Sequence, residues 1–224
     1  MLQVLDAELS HVGAHSTRAP EVVLRLGHAL ALIGPDVTGR GDAGATRTAR
    51  DAKATRWLAA ATGRCDIAIA RRPSGRPRLA PPYPELAVAL ASTAGFLAVS
   101  CSPCHPVGVD IEVFDPSLDA VSFSADHYAP GEARAVASQP SQASAVDLCQ
   151  RLWVAKEAAL KVSGRGVFDG LAAPDLSHAL AVVTEDGAAF VCHLPTDEMT
   201  VGVAVRRWTA PGGHVLFAAL AVAD

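Results

Sequence analysis

Trp153-Val154-Ala155-Lys156-Glu157-Ala158-Ala159-Leu160-Lys161-Val162-Ser163-Gly164-Arg165-Gly166 reads as the closing turns of a helix. Ala and Leu fill it, and neither Pro nor Gly intervenes before Gly164 and Gly166 end it. At about 100° per residue, Leu152, Ala155, Ala159 and Val162 form one apolar stripe suited to a core. Lys156, Glu157 and Lys161 fall on a different arc, Glu157 and Lys161 one turn apart. As a solvated pair they contribute roughly a few tenths of a kcal/mol. A second acidic group upstream gives them another meaning.

That group lies in Val107-Gly108-Val109-Asp110-Ile111-Glu112-Val113, whose period of two predicts a strand. Val107, Val109, Ile111 and Val113 point one way; Gly108, Asp110 and Glu112 point the other. Two carboxylates so close on one face repel each other, and a divalent cation relieves the repulsion. Hard oxygen ligands of this kind suit Mg²⁺. The alternative is a strand whose outer face is wet, and the small Gly108 beside the acids favours a site.

The 224 residues are enough for one large domain or two halves, and half of them are hydrophobic, which argues against disorder. A net charge of −4 offers nucleic-acid phosphates no general attraction, and few aromatics are present to stack on bases. The N-terminal residues carry Asp6 and Glu8 and no basic run, unlike a signal peptide. Residues 86–105 lack charge but are broken by Ser92-Thr93-Ala94-Gly95, so they read as two buried strands rather than a membrane span. A cytoplasmic protein is expected. Cys65, Cys101, Cys104, Cys149 and Cys192 do not form a disulfide framework. Cys101-Ser102-Pro103-Cys104-His105 has the spacing of c-type haem attachment, but without an export signal incidental thiols are the default.

Along the chain, residues 1–10 suggest an edge strand, 21–32 a helix, and 34–44 an aperiodic loop. A helix is expected over 46–61, with Arg47, Arg50, Lys53 and Arg56 forming a basic stripe that is either an exposed surface or an anion-binding face. Residues 65–70 alternate as a strand, followed by the basic turn Arg71-Arg72-Pro73-Ser74-Gly75-Arg76-Pro77. After the strand at 107–113 come helices over 130–138 and 141–166. Further strands are expected at 179–184, 188–194, 199–207 and 214–223. Helix followed by strands thus occurs twice. The pattern predicts an α+β fold of two similar halves, 1–103 and 104–224, with a site between them.

These residues resemble the 4′-phosphopantetheinyl transferase superfamily, in particular its longer surfactin-type, pseudo-dimeric branch. The resemblance is carried by Gly108-Val109-Asp110-Ile111-Glu112 followed by Trp153-x-x-Lys156-Glu157-Ala158-x-x-Lys161-x-x-Gly164-x-Gly166. Gly75-Arg76-Pro77 and Tyr128-Ala129-Pro130-Gly131-Glu132 support it. It implies transfer of the 4′-phosphopantetheine arm of coenzyme A to a serine of an acyl- or peptidyl-carrier protein, with Mg²⁺ as cofactor. Asp110, Glu112 and Glu157 would hold the metal. Lys156 and Lys161 would face the phosphates, Arg76 would seat the 3′-phosphoadenosine end, and Arg56 lies on the basic stripe. Glu157 would be the base, directly or through water, and Lys161 would stabilise charge in the transition state.

The chain departs from the family at Ser92, which stands where a His is expected to contact the coenzyme A 3′-phosphate. Loss of that imidazole removes a charge-assisted hydrogen bond of about 1.5–3 kcal/mol, though Ser92 and Thr93 retain donors. The alternatives are an inactive relative that binds carrier protein or nucleotide, and a relative redirected to another step of secondary metabolism. The branch implies a monomer, and a carrier helix is expected to dock on an apolar lip near residues 114–128.

Overall fold

The computed structural model describes residues 9–11, 20, 22–36, 43–83, 85–164, 170–172, 174–177, 187–194 and 198–223. The expected strand at 179–184 lies outside them, as do residues 1–8 of the expected edge strand and most of the loop expected at 34–44.

The chain is a mixed α/β protein built on two antiparallel sheets. The first contains β1 (Leu9–His11), β2 (Val22–Leu26), β3 (Ala29–Pro35), β6 (Ala87–Thr93) and β7 (Phe96–Ser102), in the order β1-β2-β3-β7-β6. A separate hairpin joins β4 (Ile69–Arg71) to β5 (Pro77–Leu79). The second sheet contains β8 (Val107–Val113), β9 (Gly187–Leu194), β10 (Met199–Thr209) and β11 (Val215–Ala223), in the order β8-β11-β10-β9. Helix α1 (Ala43–Thr62) covers the first sheet. Helix α4 (Gln142–Ser163) lies on the second, against β8 and β11, and helices α2 (Ala120–His127) and α3 (Pro130–Ala137) pack on α4.

The inward faces of the sheets share one core. Val22, Leu24, Ala31 and Ile33 of the first sheet meet Val107, Val109, Ile111 and Leu220 of the second. Outside this layer, Trp57 and Leu58 of α1 pack on Leu97 and Val99, while Leu152, Ala155, Ala159 and Val162 of α4 pack on Phe190, Val203 and Phe217. Burial of these apolar faces is the main favourable contribution to folding. Among the described residues, no helix is long and apolar enough to cross a membrane.

The helix expected over 21–32 is instead the β2–β3 hairpin, closed at Leu26↔Ala29. Val22, Leu24 and Leu26 enter the shared core while Val23 and Leu32 enter the core under α1. A strand buried on both faces is a continuous apolar run, and spacing alone cannot separate that from a helix. The strand expected at 65–70 shrinks to β4, and α2, capped by Asp119 accepting from the Ser122 amide, was not anticipated. The basic stripe of α1 is also divided. Arg47 and Arg56 are exposed, but Arg50 pairs with Asp36 at 2.5 Å and the buried Lys53 donates to the Pro35 carbonyl.

Candidate active site

Strand β8 delivers its acids as the alternation predicted. Its Val and Ile side chains enter the shared core, and the opposite face turns to α4. Gly108 permits that contact, because a Cβ there would overlap the backbone carbonyl of Ala158. Helix α4 is delimited by the Ser141 hydroxyl, which accepts from the Ser144 amide, and by Gly164 at φ 82°. The close packing sets the helix face bearing Glu157 and Lys161 over the acids of the strand.

The Lys161 ammonium donates to Asp110 Oδ1 at 2.7 Å and to the Val109 carbonyl at 3.2 Å, and stands 3.9 Å from Glu157. Glu112, two residues along the strand, accepts from the Thr93 hydroxyl at 2.8 Å. All three carboxyls titrate above their ordinary range. Burial raises Asp110 although Lys161 opposes it. Burial also raises Glu112, with Asp110 adding to the rise and Thr93 and Trp153 opposing it. Glu157 is pushed to about 7 by burial and then by the charges of Asp110 and Glu112, against Lys161.

Carboxyls raised together by burial and by one another's charge mark a candidate functional site. Asp110 Oδ2 is buried and accepts no hydrogen bond among the described residues. The donors are hard oxygens, so charge and donor type fit a divalent ion such as Mg²⁺. Among the described residues, no three His, Cys, Asp or Glu side chains stand together as a ready-made metal cage. Lys161 supplies the positive charge between the acids.

The other expected site residues divide. Arg76 reaches α4 from the β4–β5 hairpin and lines a cavity of about 250 Å³ together with Ser74, Leu90, Lys161 and Gly164. A neighbouring cleft of about 410 Å³ is lined by Arg72, Arg76, Arg78 and His105 among others. Arg56 lines neither, and Ser92 is exposed on β6. The neighbouring Thr93, whose side chain leaves the strand on the opposite face, donates its hydroxyl to Glu112.

Lys156 is elsewhere. Its side chain is fully buried, pairs with Glu132 at 2.7 Å, and donates to the carbonyls of Leu171 and Pro174. Glu132 in turn accepts the amides of Ala129 and Leu176. The expectation that Lys156 faces phosphates is therefore corrected: one residue is about 100° around a helix, which turns Lys156 inward while Glu157 faces the acids. Sequence spacing does not display its partner, Glu132 on α3. On the far side of Glu112, Val113, Leu118, Phe123, Tyr128 and Trp153 line a largely apolar pocket of about 290 Å³. The Cys-x-x-Cys spacing makes no paired site, since Cys101 is buried in the core under α1 and Cys104 is exposed.

No curated protein matches the chain. The model of the 4′-phosphopantetheinyl transferase superfamily matches residues 106–199, the span that contains β8, α2, α3, α4 and β9.

Proposed function

We propose that this protein transfers the 4′-phosphopantetheine arm of coenzyme A to a serine of an acyl- or peptidyl-carrier protein, as a monomeric, pseudo-dimeric, surfactin-type member working in the cytoplasm. The observation that carries the proposal is the meeting, inside the family-matched span, of Asp110 and Glu157 on one lysine, Lys161, with a buried Asp110 oxygen lacking a donor.

Asp110, Glu112 and Glu157 would hold Mg²⁺, which when bound neutralises pyrophosphate charge. The remaining work falls to the chain's own groups, since phosphoryl transfer asks mainly for positioning and charge stabilisation. Lys161 stands between the strand acids and the cavity that Arg76 lines, where its ammonium offsets charge on the phosphates. The carrier serine oxygen forms a bond to the β-phosphorus as the bond to departing 3′,5′-ADP breaks. Glu157 accepts the serine proton, directly or through water. Cation binding lowers the Glu157 carboxyl from its metal-free value of about 7, which favours the water-mediated route. The apolar pocket beside Glu112 takes Leu118, Phe123 and Tyr128 from the 114–128 lip that would receive the carrier helix.

The test is to incubate the protein with coenzyme A, Mg²⁺ and a broad panel of apo-carriers, and weigh the carriers. Phosphopantetheine addition that disappears in Glu157→Ala supports the proposal; no product from any carrier overturns it.

A further inference from the structure

Arg76 belongs to the N-terminal half, yet its guanidinium is committed to the C-terminal half. Nη2 donates to the carbonyls of Val162 at 3.1 Å and Lys161 at 3.3 Å, and Nη1 to that of Ser163 at 3.4 Å. The last four carbonyls of a helix have no partner within it, and the helix end carries partial negative charge. A planar fork of donors meets several such carbonyls at once; a lysine ammonium cannot reproduce that geometry.

Gly164 leaves the approach open. It ends α4 in the left-handed region at φ 82°, and a Cβ there would overlap Arg76 Nη1. One turn of helix therefore has its carbonyls held by Arg76 and the Lys161 ammonium held by Asp110. Arg72 and Arg78, both exposed, line the adjoining cleft without this commitment.

We propose that Arg76 is a positioning residue rather than a ligand of the 3′-phosphoadenosine end: it clamps the last turn of α4 and so sets Lys161, and Glu157 one turn earlier, against Asp110. This rests on the transfer activity proposed above. The role predicts a loss in turnover rather than in coenzyme A affinity, because what is lost is the alignment of groups that act on the reacting atoms.

The test compares Arg76→Lys and Arg76→Gln with the unaltered chain in steady-state transfer, varying coenzyme A. Both variants should lower kcat by about tenfold or more while KM for coenzyme A moves less than about threefold. Rescue of kcat by Lys, a raised KM with kcat unchanged, or no change in either would overturn the clamp. Amide hydrogen exchange on the same three proteins provides an activity-independent reading. Amides of the last turn of α4 should exchange faster in both variants while those of α1 do not, and unchanged exchange in α4 also overturns the clamp. If the unaltered chain transfers nothing, the functional proposal fails alone, and hydrogen exchange still decides the role of Arg76.

Discussion

Glu157 concentrates the chemistry and the instability of the site in one carboxyl. Its folded-state pKa of about 7 lies above the ordinary glutamate value of about 4.3. Between those values the folded chain holds a proton that the unfolded chain has lost, so stability falls as pH rises through that window. The metal-free protein should therefore lose midpoint temperature from about pH 5 to about pH 8. Glu157→Gln should flatten that slope and abolish transfer. Adding Mg²⁺ should raise the midpoint most at the alkaline end, where the carboxylates repel most, because a ligand selective for the folded state stabilises it. Thermal melts across pH, with and without Mg²⁺, provide the check; equal slopes for the two proteins would contradict the assignment. Lys156 makes the opposite case. Lys156→Ala leaves Glu132 buried without its cation and should cost about 3–5 kcal/mol in urea unfolding.

At the scale of elements, the packing of β8 on α4 depends on a missing side chain. Alanine normally costs less than glycine inside a strand, so Gly108→Ala should stabilise an isolated strand. Here its Cβ would meet the Ala158 carbonyl, a backbone atom that gives way only if α4 shifts. The substitution should cost about 1–3 kcal/mol and depress transfer further, as Glu157 and Lys161 separate from Asp110. Urea titration and the transfer assay measure the two losses separately. Both elements were legible in the sequence because each carries its own periodicity and ends: period two through Val113, and a helix capped by Ser141 and Gly164. The β2–β3 hairpin was not legible, because Val22 and Val23 are both buried, on opposite faces. Nor was the inward turn of Lys156, since Glu132 lies 24 residues away and only the packing of α3 on α4 brings the pair together. Asp110 and Glu112 were visible as a pair, but the hydrogen bond from Thr93 to Glu112 was not, because it joins residues 19 apart on two different strands.

For the molecule as a whole, one sheet is built before residue 104 and the other after it, and the shared core ties these two parts together. Val109, Ile111, Leu216 and Leu220 pack against Leu24, Ala31 and Ile33, so neither sheet has an inner face that can be left in water. Among the described residues, polar contacts also cross the same boundary, including Thr93 to Glu112 and Arg76 to the end of α4. Separating the halves exposes a continuous apolar face at roughly 25 cal/mol per Å² and breaks both contacts. The full chain should therefore unfold in a single calorimetric transition whose van't Hoff and calorimetric enthalpies agree. A fragment of residues 104–224 carries Asp110, Glu112, Glu157 and Lys161 and is the stronger test. It should bind a dye specific for exposed apolar surface, lack a cooperative melt and transfer nothing, and a fragment of residues 1–103 added in trans should restore some of each property. A soluble, cooperatively melting 104–224 fragment would show that the second half is an independent domain and that the shared core is a docking surface, not a folding requirement.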